Sequence, residues 1–364
     1  MILQPLAKLE FGCKIIIIID VLDESGTDED IARLANWSAL VRCIVNKFEK
    51  LPFFVKIIIT ARNEGSIQDS FINKSFIIEK RMRQVMNTGS DIIIYFGCQF
   101  KQIRNDHQLS EDWPGKKKET QLINAADNLF IWTRVVCSLL KKDPHAQLDV
   151  LLEVDFKLEN EEQLDQLYAH ILETNYVKTR DIQNWHYIVG TIVVLQKPLA
   201  LESIDLLLGL STMDNSKTLI TTGHKIRLSS SKLILKNMLP LVKNQLNASS
   251  IQLLHKSVYD FLIYKAKDSF RIDCRTQNLV LAMQCLEHMN QTLKCNICNM
   301  ENTALLNSEI LEPVEHCIPE SLQYAFCFFI NHLESGSVTE NQQFYETINT
   351  FVQEHILHWI EVMS

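Results

Sequence analysis

Residues 15–19 read Ile-Ile-Ile-Ile-Ile and stop at Asp20. Five β-branched residues in a row do not alternate between apolar and polar. Such a run predicts a central strand of a parallel sheet, buried on both faces beneath helices. Residues 54–60, Phe-Val-Lys-Ile-Ile-Ile-Thr, predict a second strand of the same kind. Between them, residues 28–49 carry Leu34, Trp37, Leu40, Val41, Ile44 and Phe48 at helical spacing, with Thr27 placed to cap. Strand, helix, strand is a βαβ unit, which is almost always right-handed. A shorter strand is expected over Phe76 to Glu79.

After Gly89 the period changes to 3.6. Helices are expected over 91–103, 122–140, 164–172, 183–195, 203–208 (closed by Gly209), 232–239 and 256–264. The polar stretch 141–165 reads as a boundary and the Ser/Thr/Gly-rich stretch 211–230 as a loop. Residues 250–255 read as a strand, and everything from 276 onward as helix. Phe344, Ile348, Phe351, Val352, Ile356, Trp359, Ile360 and Met363 form one apolar stripe at the end of the chain. An uncovered stripe there implies a continuation.

Composition bounds the function. The 364 residues suggest two or three domains, 46% hydrophobic and 22% charged. Ten Gly and eight Pro are too few for an all-β sandwich. With 36 basic against 44 acidic residues, the net charge of −8 argues against a broad nucleic-acid surface. Lys116-Lys117-Lys118 reads as a solvated loop. Neither a secretory signal nor a membrane span is evident. A reducing, cytoplasmic setting is expected, with the ten cysteines mostly buried as small hydrophobes. Cys295-Asn-Ile-Cys298 lacks the further ligands of a zinc site and the βαβ context of a redox motif.

Chemistry concentrates at the strand ends. Asp20 sits at the carboxyl edge of the expected sheet, where α/β proteins bind ligands. The string Asp20-Val-Leu-Asp23-Glu24 has the form of a Walker B element. There the first carboxylate holds Mg²⁺, usually through water, and a following one positions the attacking water. The alternative is that Asp20 merely ends a strand and Asp23 and Glu24 are solvated turn residues. Arg62, just past the second strand, is placed to meet a terminal phosphate. The alternative is a surface ion pair with Glu64 or Glu24.

Taken in order, these strings resemble the fungal NACHT NTPases, relatives of animal nucleotide-binding immune receptors and of nephrocystin-like NTPases. Asp20-Val-Leu-Asp23-Glu24 resembles the family's Asp-x-Leu-Asp-Glu. Thr60-Ala61-Arg62-Asn63-Glu64 resembles its sensor strand, usually Thr-Ser-Arg-Pro-Glu. Trp113-Pro114-Gly115 and Asn128-Leu129-Phe130-Ile131-Trp132 resemble its helical lid, with Asp127-Asn128 in place of a Gly. Leu254-His255-Lys256-Ser257-Val258-Tyr259-Asp260-Phe261-Leu262 resembles its Leu-His-x-Ser-Phe-x-Asp-Phe-Leu signature.

The resemblance implies an α/β then all-α chain in four parts. These are a partial P-loop NTPase sheet (about 1–85), a helical lid (86–145), a winged-helix-like module (160–268) and a helical tail (269–364). It implies Asp20 as the Mg²⁺ carboxylate, Glu24 with Asp23 as the water-positioning pair, Arg62 as phosphate sensor and His255 as a contact to the β-phosphate of ADP. His255 could instead be a partly buried histidine satisfied by a backbone carbonyl. ATP or ADP with Mg²⁺ are the family's cofactors, and protein partners or self-assembly its output, with no nucleic acid or membrane partner. No Gly-x-x-x-x-Gly-Lys-[Ser/Thr] occurs in the sequence. The P-loop is therefore expected upstream of Met1, and ATP binding by this chain is expected to be impaired. A non-catalytic helical interaction module is the competing expectation.

Overall fold

The computed structural model describes residues 14–20, 54–61, 71, 74, 76–80, 88–153, 160–210, 218–221, 224–227, 231–243, 250–299, 317–336 and 342–363. The chain divides into two compact units, Met1–Met86 and Asn87–Ser364.

In the first unit, β1 (Ile15–Ile19) pairs in parallel with β2 (Val55–Ile59), Ile15 opposite Val55 and Ile19 opposite Ile59. The strand pair agrees with the sequence, but its burial does not. Ile16, Ile18 and Ile58 are 61%, 66% and 50% exposed, so one face of the pair is open and the other only partly covered. An unbroken apolar run permits burial on both faces without supplying the layers that bury it. The strand expected at 76–79 is also absent. Residues 76–80 form a turn and irregular backbone, Ile77 N donates to Lys74 O, and Ile78 is 85% exposed. Three apolar residues make a strand only beside a partner. The helix expected at 28–49 lies outside the described residues.

The second unit is mostly helical. Its elements are α1 (Thr88–His107), α2 (Lys116–Ala126), α3 (Phe130–Lys142), α4 (Pro144–Glu153), α5 (Asn160–Asn175), α6 (Thr179–Val194) and α7 (Leu201–Leu207). An antiparallel pair, β3 (Thr218–Thr221) and β4 (His224–Arg227), follows. Next comes α8 (Ser231–Leu235), which runs into a 3-10 turn, Lys236–Leu241. Then α9 (Lys256–Asp260) continues as a π turn, Phe261–Lys265. The tail holds α10 (Cys274–Thr292), α11 (Glu320–Ser335) and α12 (Gln342–Thr350), which passes through a π turn, Phe351–His355, into α13 (Ile356–Met363). Among the described residues no helix is long and apolar enough to cross a membrane.

Four sequence expectations are corrected here. The single helix over 122–140 is two, because Asp127 (φ 38°) and Asn128 (φ 65°) take the left-handed conformation that short polar side chains tolerate. The boundary at 141–165 contains α4, whose Leu148 and Leu151 are buried one helical turn apart. The loop at 211–230 contains the β3–β4 pair. The strand at 250–255 shrinks to one antiparallel bridge, Val242 with Leu253, flanked by Lys243 N to Gln252 O (2.9 Å) and Leu254 N to Leu241 O (2.8 Å).

One hydrophobic cluster runs from Ile92 in α1 to Phe351 in the tail. Trp185 of α6 is fully buried, meets Tyr176 and Phe270 ring to ring, and donates its indole N–H to Met238 Sδ at 3.0 Å. In the tail, Trp359 is covered by Phe329 and Phe351 and donates to Phe326 O at 3.1 Å. The terminal stripe is thus partly covered, although Ile360 and Met363 stay about half exposed.

A buried polar line crosses this core. Gln196 N donates to Tyr324 Oη (2.9 Å), Tyr324 Oη meets His332 Nε2 (2.7 Å), and His332 Nδ1 meets Asn278 Oδ1 (2.7 Å). Asn278 Nδ2 donates on to Cys274 O at 2.9 Å. An amide oxygen only accepts, so His332 carries its proton on Nδ1 and accepts from Tyr324 at Nε2. Glu320 extends the clamp, its Oε2 accepting from Ala200 N (3.1 Å) and Ser203 Oγ (2.6 Å) at the start of α7.

Burial holds the His332 imidazole neutral, its pKa lowered from 6.5 to about 4. The unfolded chain therefore binds more protons in that window. Stability is complete above pH 6.5 and falls as pH drops towards about 4, by on the order of 3 kcal/mol. Urea denaturation between pH 7 and pH 4.5 is expected to show this fall. His332→Gln, which keeps a donor and an acceptor without a titrating ring, is expected to reduce it. A residual slope comes from His186, whose pKa burial also lowers.

Candidate functional site

Parallel register explains the most suggestive arrangement in the first unit. Ile19 lies opposite Ile59, so the next residues, Asp20 and Thr60, emerge side by side at the carboxyl edge. The ladder closes with Thr60 N donating to Ile19 O at 3.0 Å. The Thr60 hydroxyl donates to Asp20 Oδ1. Both side chains are exposed. The hydroxyl fixes the orientation of a carboxylate at the strand edge where α/β proteins bind ligands.

The donor set limits what this edge can hold. Among the described residues no group of three His, Cys, Asp or Glu side chains converges on a metal. One oriented carboxylate suits a Mg²⁺ that keeps its waters and takes its remaining ligands from nucleotide phosphates. It does not suit an ion held by protein side chains alone. Asp23, Glu24 and Arg62 lie outside the described residues, so of the strand-edge set only Asp20 is positioned.

His255 belongs to the second unit. Its backbone is extended (φ −157°, ψ 152°) and it is the N-cap of α9. Nδ1 accepts from Ser257 N at 3.1 Å and lies 2.8 Å from Ser257 Oγ. Ser257 Oγ is in turn 2.9 Å from Tyr168 Oη on α5. His255 is exposed, and the partner found for Nδ1 is an amide N–H, not the backbone carbonyl that the sequence left open. An accepting Nδ1 places the neutral imidazole's proton on Nε2. The rest of the string builds core: Val258, Phe261 and Leu262 are buried, and Phe261 meets Tyr168 edge to face at 5.5 Å.

Sequence reasoning missed two groupings. Thr60 stands in the Thr-Ala-Arg-Asn-Glu string, but its bond to Asp20 depends on register across 40 residues. The Tyr168–Ser257–His255 chain spans 89 positions and has no local signal.

The cap can be tested directly. His255→Ala removes the acceptor for Ser257 N and is expected to cost about 1 kcal/mol in chemical denaturation. His255→Asn, whose Oδ1 can cap, is expected to recover most of that loss. Equal losses in both variants would show that the cap contributes nothing.

Comparison with protein-family models, curated proteins and solved structures gives no match to this chain.

Proposed function

We propose that the chain carries the part of a NACHT-type signal-transducing NTPase that follows the P-loop. In this reading it is a nucleotide-controlled switch for self-assembly, impaired in ATP binding because Walker A is missing from its sequence. The observation that carries the proposal is the parallel β1–β2 pair with Asp20 and Thr60 hydrogen-bonded at its carboxyl edge. Nucleotide-binding α/β sheets present their Mg²⁺ carboxylate at that edge. Two further features support it. Asn128 stands where the resembled family has Gly, and its φ of 65° is one glycine adopts readily. Gly115, in the Trp-Pro-Gly string, has φ 89°.

In this reading Asp20 holds Mg²⁺ through water, Asp23 and Glu24 position the attacking water, and Arg62 senses the terminal phosphate. His255 offers an Nε2 proton to the β-phosphate of ADP while its Nδ1 caps α9. Nucleotide switches assembly only if its contacts differ between two states. A P-loop supplies much of that difference.

A non-catalytic helical interaction module is favoured instead by one observation. Leu357, Ile360 and Met363 of α13 are 75%, 52% and 49% exposed. Apolar side chains grouped on one surface mark contact sites for other proteins or for a second copy.

Titration of fluorescent ATP with Mg²⁺ tests the proposal. The chain alone is expected to bind no tighter than about 1 mM. Micromolar Mg²⁺-dependent binding would refute the impairment. Where in-frame coding sequence upstream of Met1 encodes a P-loop, the chain can be produced with it. The extended chain is then expected to bind at micromolar concentration, and Asp20→Asn to abolish its Mg²⁺ dependence. An upstream sequence without a P-loop favours the interaction module.

A further inference from the structure

The strongest unassigned chemistry lies where α10 ends and α11 begins. Residues 293–299 leave α10 in a turn whose Asn296 and Asn299 both have φ 49°. Asn299 N donates to Asn296 O at 2.8 Å, and Asn296 N donates to Glu361 Oε1 of α13 at 3.0 Å. Side chain and backbone therefore fix the turn that presents Cys298. Cys317, just before α11, meets it. Its thiol donates to the Cys298 backbone carbonyl oxygen at 3.9 Å, which sets the two cysteines side by side.

The sequence spacing suggests a different partner. Cys295-x-x-Cys298 invites pairing within the motif, or zinc. Yet Cys295 is exposed, the cysteine whose thiol meets residue 298 is Cys317, and no three metal-binding side chains converge among the described residues. Cys317 is exposed and Cys298 half-buried, so the pair is reachable from solvent on one side.

We propose that Cys298 and Cys317 are a reversible redox site that forms a disulfide with a low-molecular-weight disulfide such as oxidised glutathione as the electron acceptor. The exposed Cys317 thiolate attacks one glutathione sulfur, makes a mixed disulfide and releases the first glutathione as thiol. Cys298 then attacks the Cys317 sulfur. The Cys298–Cys317 bond forms, and the second glutathione leaves with the proton from Cys298. Two protein thiols and one oxidised glutathione become one protein disulfide and two reduced glutathiones. The sulfurs of these neighbouring residues close to a bond of about 2.05 Å.

Burial, then Cys317 and Glu361, push the Cys298 thiol up. It stays protonated at neutral pH, so its attack is slow there and closure speeds up as pH rises. The new bond joins the end of α10 to the start of α11 and closes a loop between positions 19 apart. It restricts the unfolded chain and so raises the melting temperature. This site is independent of the nucleotide-switch proposal.

The test uses the purified full chain equilibrated with oxidised glutathione. Cleavage at glutamate separates the two partners, since Glu301 and Glu315 lie between them. The expected product is a Cys298–Cys317 cross-linked peptide pair, with a melting temperature raised by several degrees and restored by dithiothreitol. Cys295→Ser is expected to leave both readouts unchanged, and Cys317→Ser to abolish both. A dominant Cys295–Cys298 disulfide would overturn the proposal, as would glutathione adducts without a cross-link or a melting shift that persists in Cys317→Ser.

Discussion

The helical unit is organised around hydrogen bonds that run in one direction through an apolar interior. From Gln196 N through Tyr324, His332 and Asn278 to Cys274 O, every donor meets an acceptor, and only one histidine tautomer satisfies them all. Each such bond adds only about 1 kcal/mol net, but leaving one partner buried and unmatched costs about 1–3 kcal/mol. The line therefore specifies an arrangement more than it adds stability. It fixes the angle at which α11 lies on α10 and on the segment after α6. Glu320 repeats the device one turn earlier, so α11 also anchors the start of α7. With α11 fixed, Cys317 is held beside the turn that carries Cys298.

A different constraint shapes the first unit. β1 and β2 present an open apolar face at Ile16, Ile18 and Ile58, and their pairing rests on backbone bonds and register. That register places a carboxylate and a hydroxyl together at one edge. A slip of one residue would turn every side chain to the other face and part them. The chemistry offered there is modest: an oriented carboxylate suited to a hydrated cation that phosphates help to hold.

The string from Leu254 to Leu262 shows how a functional resemblance and a structural role can share residues. His255 caps α9, Ser257 links that cap to Tyr168, and Val258, Phe261 and Leu262 fill the core. Capping occupies Nδ1 and sets the tautomer, which decides what Nε2 can offer. A nucleotide contact by His255 would therefore be tuned by the helix it starts.

Local chemistry made much of this legible from sequence alone. The isoleucine run declared β1, Val55–Ile59 declared β2, and helical spacing located most of the helices, because periodicity and β-branching act over a few residues. The break at Asp127 and Asn128 escaped periodicity, since apolar spacing continues across it while the backbone turns left-handed. Asp20 was identifiable as the residue ending an apolar strand, but its hydroxyl partner was not. Nor were the partners of His332 and Cys298. Those pairings join positions from 8 to 54 apart, and only the packed chain decides which side chains meet. Sequence determined which segments are apolar and where a carboxylate ends a strand. Tertiary structure decided which faces are covered and which polar atoms find one another, because burial and hydrogen bonding depend on neighbours brought together by folding.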